Sequence, residues 1–92
     1  MNPNSFMMVA GTVADPTRLH ALFELGARPL TVGQLAEAVG VTQGAASRHV
    51  RRMVDAGLVA VERRGRCTVV RRLARPWAAV ERTFGSATWE GA

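Results

Sequence analysis

The chemistry legible in this chain is carried by arginine. Arg48, Arg51 and Arg52 recur at spacings of three and four, which on a helix puts them on one side. Arg63, Arg64 and Arg66 follow around Gly65. A guanidinium is permanently charged and offers a planar fork of donors, matched to phosphate oxygens and to the O6/N7 edge of guanine. Between Arg48 and Arg75 nine arginines meet two acids, Asp55 and Glu62, a local excess of seven positive charges. The whole chain carries +5, so the remainder is net −2. Such segregation is the electrostatic footprint of a nucleic-acid binder.

The small and polar residues between the arginines extend the pattern. Gln43 has an amide that donates and accepts at once, as adenine readout requires. Gly44 and Ala45 permit close approach, and Ser47 reaches a base or a phosphate. His49 lies beside the apolar stripe of the same segment, placed to orient the helix or touch a phosphate. The expected DNA-contacting set is therefore Thr42, Gln43, Gly44, Ser47, Arg48, His49, Arg51, Arg52, Arg63, Arg64 and Arg66. The last three suit sugar-phosphate or the minor groove, adding affinity with little sequence information.

Other chemistries find little support. There is no paired-carboxylate pocket, no Cys-His or Ser-His-Asp set and no phosphate-binding glycine loop, so no enzyme is expected. Zinc and its neighbours need three or four N, O or S ligands. His20, His49 and the single Cys67 do not supply them, and no metal or cofactor is expected. One cysteine also excludes an internal disulfide, and Cys67 is expected to be a small packing residue.

These residues need a frame, and the chain supplies one. Asp15 and Pro16 form a helix start, as N-cap and first helical residue. Leu19, Leu22, Phe23 and Gly26 predict its apolar face, and Ala27-Arg28-Pro29 ends it. Thr31 and Gln34 have the spacing of a capping box, with Leu35, Ala36 and Val39 buried behind it. Gly40 fits the left-handed position that closes a helix, Val41 pins the turn, and Thr42 caps the next helix. There Ala46, Val50, Met53 and Gly57 lie within about 60° of one another. Gly44, Arg48, Arg51 and Asp55 occupy the opposite face. Residues 58–61 and 68–70 are β-rich runs flanking Arg63-Arg64-Gly65-Arg66, the expected tip of a hairpin. Pro76 opens a last helix in which Trp77, Val80, Phe84 and Ala87 share a face.

The expected fold is mainly α with a small β-hairpin, a winged helix-turn-helix in the order α-α-α-α-β-β-α. Residues 1–92 make one domain: an N-terminal dimerisation segment (1–14), a helical core (15–57) with the helix-turn-helix at 31–57, a wing (58–73) and a C-terminal dimerisation helix (76–90). A 92-residue chain buries only about 60–70% of its unfolded surface, so a partner subunit would help. Phe6, Met7, Val9, Trp77, Val80 and Phe84 are the expected dimer interface. No apolar run approaches the roughly 18–20 residues of a membrane span. The N-terminus also lacks the positive charge of a secretory signal. A cytoplasmic protein with no membrane partner is expected.

Five segments in order resemble one family: Ala14-Asp15-Pro16-Thr17-Arg18-Leu19, Gln34-Leu35-Ala36, Ser47-Arg48-His49-Val50, Ala56-Gly57-Leu58-Val59 and the wing Arg63-Arg64-Gly65-Arg66. The chain is similar over residues 14 to 73 to the arsenic-repressor-type (ArsR-like) transcriptional regulators. That resemblance implies a homodimeric winged-helix repressor, pairing through its first and last helices and binding imperfect palindromes. It places helix 42–56 in the major groove and wing 63–66 on the backbone, with double-stranded DNA and a second copy as partners. Metal-sensing members carry cysteines where this chain reads Leu30-Thr31-Val32-Gly33-Gln34, or Asp, His and Glu on the last helix. Here Trp77 to Trp89 offers only Glu81. Arg52 stands where the family often has an apolar residue. A small-molecule or protein effector is left open, as is the alternative of a winged-helix protein-interaction module with weak or no specific DNA binding.

Overall fold

A computed structural model describes residues 3–74, with side chains from Met7 onward. In chain order the elements are α1 (Pro3–Val13), α2 (Pro16–Ala27), β1 (Leu30–Thr31), α3 (Val32–Val39), α4 (Gln43–Asp55), β2 (Val59–Arg64) and β3 (Cys67–Arg72). The last helix expected at 76–90 lies outside the described residues, with Trp77, Val80 and Phe84 on it.

The helix boundaries follow from side-chain caps. Asp15 accepts from the amides of Thr17 and Arg18 at 2.8 and 3.2 Å, and Pro16 follows at the first helical position. Thr31 Oγ1 accepts from the Gln34 amide at 3.1 Å, while Gln34 Oε1 accepts from the Thr31 amide at 2.9 Å. Two of the orphan donors at the start of α3 are thus satisfied reciprocally. Gly40 closes α3 at φ 75°, a conformation that costs a residue with a Cβ. The amides of Gly40 and Val41 return to the Ala36 carbonyl at 2.9 and 3.0 Å. Thr42 Oγ1 then accepts from the Ala45 amide at 3.1 Å and starts α4. These two caps, Gly40 and Thr42, lie two residues apart, so the α3–α4 turn has little freedom.

The core is centred on Leu22, Leu35, Met53, Leu58 and Val70, to which the helices and the sheet all contribute. In α2 the buried face is Ala21, Leu22 and Leu25, not the expected stripe. Phe23 and Gly26 are exposed and Leu19 is half-buried, so the true face is rotated by about 100°. The three helical neighbours α1, α3 and α4 set that direction. Gly26 serves otherwise: the Arg72 guanidinium lies over it, with NH1 2.7 Å from where a Cβ would stand. The same NH1 donates to the Leu22 carbonyl at 3.2 Å.

Three strands form an antiparallel sheet in the order β1-β3-β2. The two-residue β1, pairing Leu30 with Val70 and Thr31 with Val69, is too short to carry a sequence pattern. The hairpin strands are longer than expected, and the ladder runs out to the pair Arg64–Cys67. Arg63 and Arg64 are therefore strand residues, and the turn is Gly65-Arg66 alone. Positive φ at Gly65 (60°) and at no other wing residue is the pattern of a type II′ turn, whose twist matches the strands. Cys67 is exposed, contrary to the expected packing role, because it sits at the open end of the ladder beyond the core. Val9, expected at a dimer interface, is buried in the chain's own core at 4% exposure. It shares the inward side of α1 with Thr12 and Val13.

Candidate nucleic-acid interface

On α4 the capped start and the buried stripe Ala46, Val50 and Met53 fix which residues face outward. Taking 100° per residue, Gly44, Arg48, Arg51 and Asp55 lie within about 60° of one another on the far side. All four are exposed, as are Thr42, Gln43, Ser47 and Arg52. Arg52 stands on the edge toward α2, and Gln43 and Ser47 on the edge toward the wing. Asp55 interrupts the cationic row, and no salt bridge holds it among the described residues. The face is small at its N-terminal end and cationic beyond it, a shape that suits insertion into a groove about 12 Å wide.

The wing meets this face across a groove of about 630 Å³, lined by Val32, Ser47, Arg51, Val54, Val61 and Thr68 among others. Strand parity sorts the wing arginines between its two sides. Arg63 pairs with Thr68 and stands two residues from Val61, so it shares the side that faces α4. Its Nε donates to the Gly65 carbonyl at 3.1 Å and its NH1 to Thr68 Oγ1 at 3.5 Å. Arg64 is on the reverse side, where NH2 is 3.3 Å from Glu62 Oε2. Arg66 occupies the turn. The three guanidinium groups expected at one tip thus divide into one toward α4, one at the apex and one balanced by an acid.

His49 is half-buried at the inner edge of α4, and Arg18 meets it with NH1 3.3 Å from His49 Nδ1. Sequence reasoning missed this contact and the Glu62–Arg64 pair. The second had a signal in the i, i+2 spacing on one strand face; the first had none. Arg18 also lies 3.8 Å from Asp15 Oδ2. Burial pushes the Asp15 carboxyl up, but hydrogen bonds from the Arg18 and Thr17 amides and the Arg18 charge outweigh it. The net result holds Asp15 below its ordinary value. His20, exposed on α2, pairs with Glu24 at 3.2 Å.

Among the described residues no group of three or more His, Cys, Asp or Glu could hold a metal ion. Nor is any helix among them long and apolar enough to cross a membrane. The expected interface residue Met7 is 71% exposed and its neighbour Met8 50%.

Residues 15–66 match the family model of the MarR family, spanning α2 through the wing turn. The chain belongs to the MarR family. The chain is also 44% identical over 57 residues to the HTH-type transcriptional regulator NmtR of Mycobacterium tuberculosis. That stretch is 62% of this chain and 48% of that protein, so the chain spans about half of its relative's length. Among solved structures, an ArsR family transcriptional regulator superposes with a TM-score of 0.80 at 26% identity, covering 100% of this chain and 97% of that one. The homodimeric winged helix-turn-helix DNA-binding domain of a Mycobacterium bovis protein superposes at 0.83, with 23% identity over 96% of this chain and 82% of that one. The latter likeness establishes the fold alone. The fold of this MarR-family chain is therefore the winged helix-turn-helix of transcriptional regulators, and its ArsR-like resemblance holds. Its relatives are regulators rather than enzymes.

Proposed function

We propose that the protein is a homodimeric, sequence-specific DNA-binding repressor of a promoter. α4 enters the major groove through Gln43, Gly44, Ser47 and Arg48, with Arg51 and Arg52 extending to phosphates. The wing lies along the backbone, Arg63 toward the groove and Arg66 at the apex. The observation that carries this reading is the exposed face of α4, small at the start and cationic beyond, beside a wing whose Arg63 shares the α4 side. A two-fold dimer would read palindromic half-sites about 10 base pairs apart or a multiple of that. Dimerisation is supported by α1, whose outward residues Met7 and Met8 are exposed in the single chain and which contains no charged residue. The expected partner residues Phe6, Trp77, Val80 and Phe84 complete the proposed interface, and residues 1–92 act as one domain. The setting proposed is the cytoplasm, where promoter DNA is reached.

Gel shift on the protein's own promoter region, at several salt concentrations with random-sequence competitor, tests the proposal. A discrete complex surviving competitor and lost in Arg48→Ala/Arg51→Ala is expected, with a palindromic footprint. Unchanged affinity of the folded double variant overturns the assignment of α4.

A further inference from the structure

His49 and Arg18 belong to different helices, 31 positions apart, yet share a hydrogen bond. Arg18 is held from several directions. Its Nε donates to the Thr12 carbonyl at 2.8 Å and its NH2 to the Gly11 carbonyl at 3.5 Å, both at the end of α1. Its side chain is only 13% exposed. A guanidinium is all donor and stays charged in proteins. Nδ1 of His49 therefore presents a lone pair to Arg18, and the neutral ring carries its one proton on Nε2. Among the described residues no hydrogen bond occupies that Nε2. His49 is partly exposed; the Asp15 carboxylate acts on it, but Arg18 at its Nδ1 and Arg48 and Arg52 next to it along α4 outnumber that acid, a setting that attracts an anionic acceptor.

We propose that Arg18 is a positioning residue for DNA binding, locking His49 in the Nε2–H tautomer so that this N–H donates to a backbone phosphate. His49 lies at the edge of the outward face of α4, about 100° from Arg48, and so meets the groove's phosphate rim rather than its floor. The anchorage of Arg18 on the Gly11 and Thr12 carbonyls fixes the ring relative to α1 as well as α2. The phosphate contact rests on the DNA-binding reading above; the tautomer does not.

Two measurements test the inference. Long-range ¹H–¹⁵N spectra of the free protein should show His49 as a single Nε2–H tautomer. Arg18→Met should release it to a mixture, and Arg18→Lys, which keeps a charged donor, should restore the lock. A mixture or the Nδ1–H form in the unaltered protein overturns the lock. On DNA, His49→Gln puts an amide nitrogen where Nε2 stood, whereas His49→Asn puts one where Nδ1 stood. Operator affinity should stay within about threefold in His49→Gln and fall about tenfold in His49→Asn, as for one hydrogen bond to a charged group. Equal losses in the two variants, with circular dichroism showing both folded, overturn the phosphate contact. An unaltered protein that binds no DNA overturns the DNA reading itself, distinguishably, because the tautomer is read without DNA.

Discussion

Gly44 separates the demands of folding from those of binding. It is the second residue of α4, is exposed, and a Cβ there would meet nothing within 4 Å. The folded chain alone thus has no use for glycine at this position, and Ala should stabilise α4 by about 0.5–1 kcal/mol. For a domain of this size that corresponds to a rise of about 2–8 °C in Tm. Leu, nearly as good a helix former, should do almost as well. On DNA the order reverses. Gly44 lies between Arg48 and Arg51 in angle and nearest the helix start, so a Leu side chain would wedge α4 away from the groove floor. Losing two base contacts at about 1–3 kcal/mol each lowers operator affinity by at least about 30-fold, since 1.4 kcal/mol is tenfold. Thermal unfolding and gel shift on the same preparations of Gly44→Ala and Gly44→Leu would read both effects. A Leu variant that is stabilised yet binds the operator unchanged would remove this face from the DNA; one that is destabilised would refute the account of α4.

The other expectations concern neighbouring features. Glu62→Gln removes the acid that balances Arg64 at 3.3 Å on the reverse side of the wing; stability should change by less than about 1 kcal/mol, and the salt slope should stay unchanged because neither side chain faces the DNA backbone. Titration in salt checks this, and a slope steeper by about one would bring the released Arg64 to a phosphate. Leu58→Ala empties a fully buried position between α4 and β2 and should cost about 2–5 kcal/mol, read by denaturant unfolding. Thr31→Ala removes the hydroxyl half of the capping box and should cost about 1 kcal/mol. Because the Asp15 carboxyl is held below its ordinary value, its contribution is complete above the unfolded-state pKa and is lost as pH falls through the lowered one. Asp15→Asn should therefore flatten the stability profile on the acid side, below the usual carboxylate range, and an unchanged profile would contradict the cap.

What was legible in the sequence was what repeats within one element. Both caps around the α3–α4 turn, including the left-handed Gly40, and the stripe residues Ala46, Val50 and Met53 depend on residues within four positions and stand where the spacing put them; Gly57, expected as the fourth of that stripe, lies past the end of α4 in a left-handed turn and is only half-buried. The α2 face was misread because Leu19, Leu22, Phe23 and Gly26 form an apolar arc as good as Ala21, Leu22 and Leu25. Periodicity finds an arc but not which neighbour it will meet. Val9 was misassigned for a related reason: Phe6 to Val9 is apolar on all sides, and only the packing of α1 on α2 distinguishes inward Val9 from outward Met7 and Met8. The strands outrun the expected β-rich runs because arginines 63 and 64, which read as turn residues in sequence, join the ladder. Exposed guanidinium groups do not oppose a ladder, however, and a two-residue turn lets pairing continue to Arg64 and Cys67.

The wing shows why counting charges does not locate a surface. Arg63, Arg64 and Arg66 are near neighbours in sequence, yet alternation turns the first two to opposite sides, and Glu62 lies beside Arg64 on the reverse. If Arg63 and Arg66 alone reach phosphates, replacing either by Ala should weaken binding and lower the salt slope by about one, without changing which sequences are preferred. Arg64→Ala should do neither, since its charge faces away and is already balanced. Salt titrations of the three single variants on operator and random DNA decide the matter. Three equal losses would mean that the hairpin twists on binding to bring both sides to the backbone, and the division of the wing by strand parity would no longer describe the bound state.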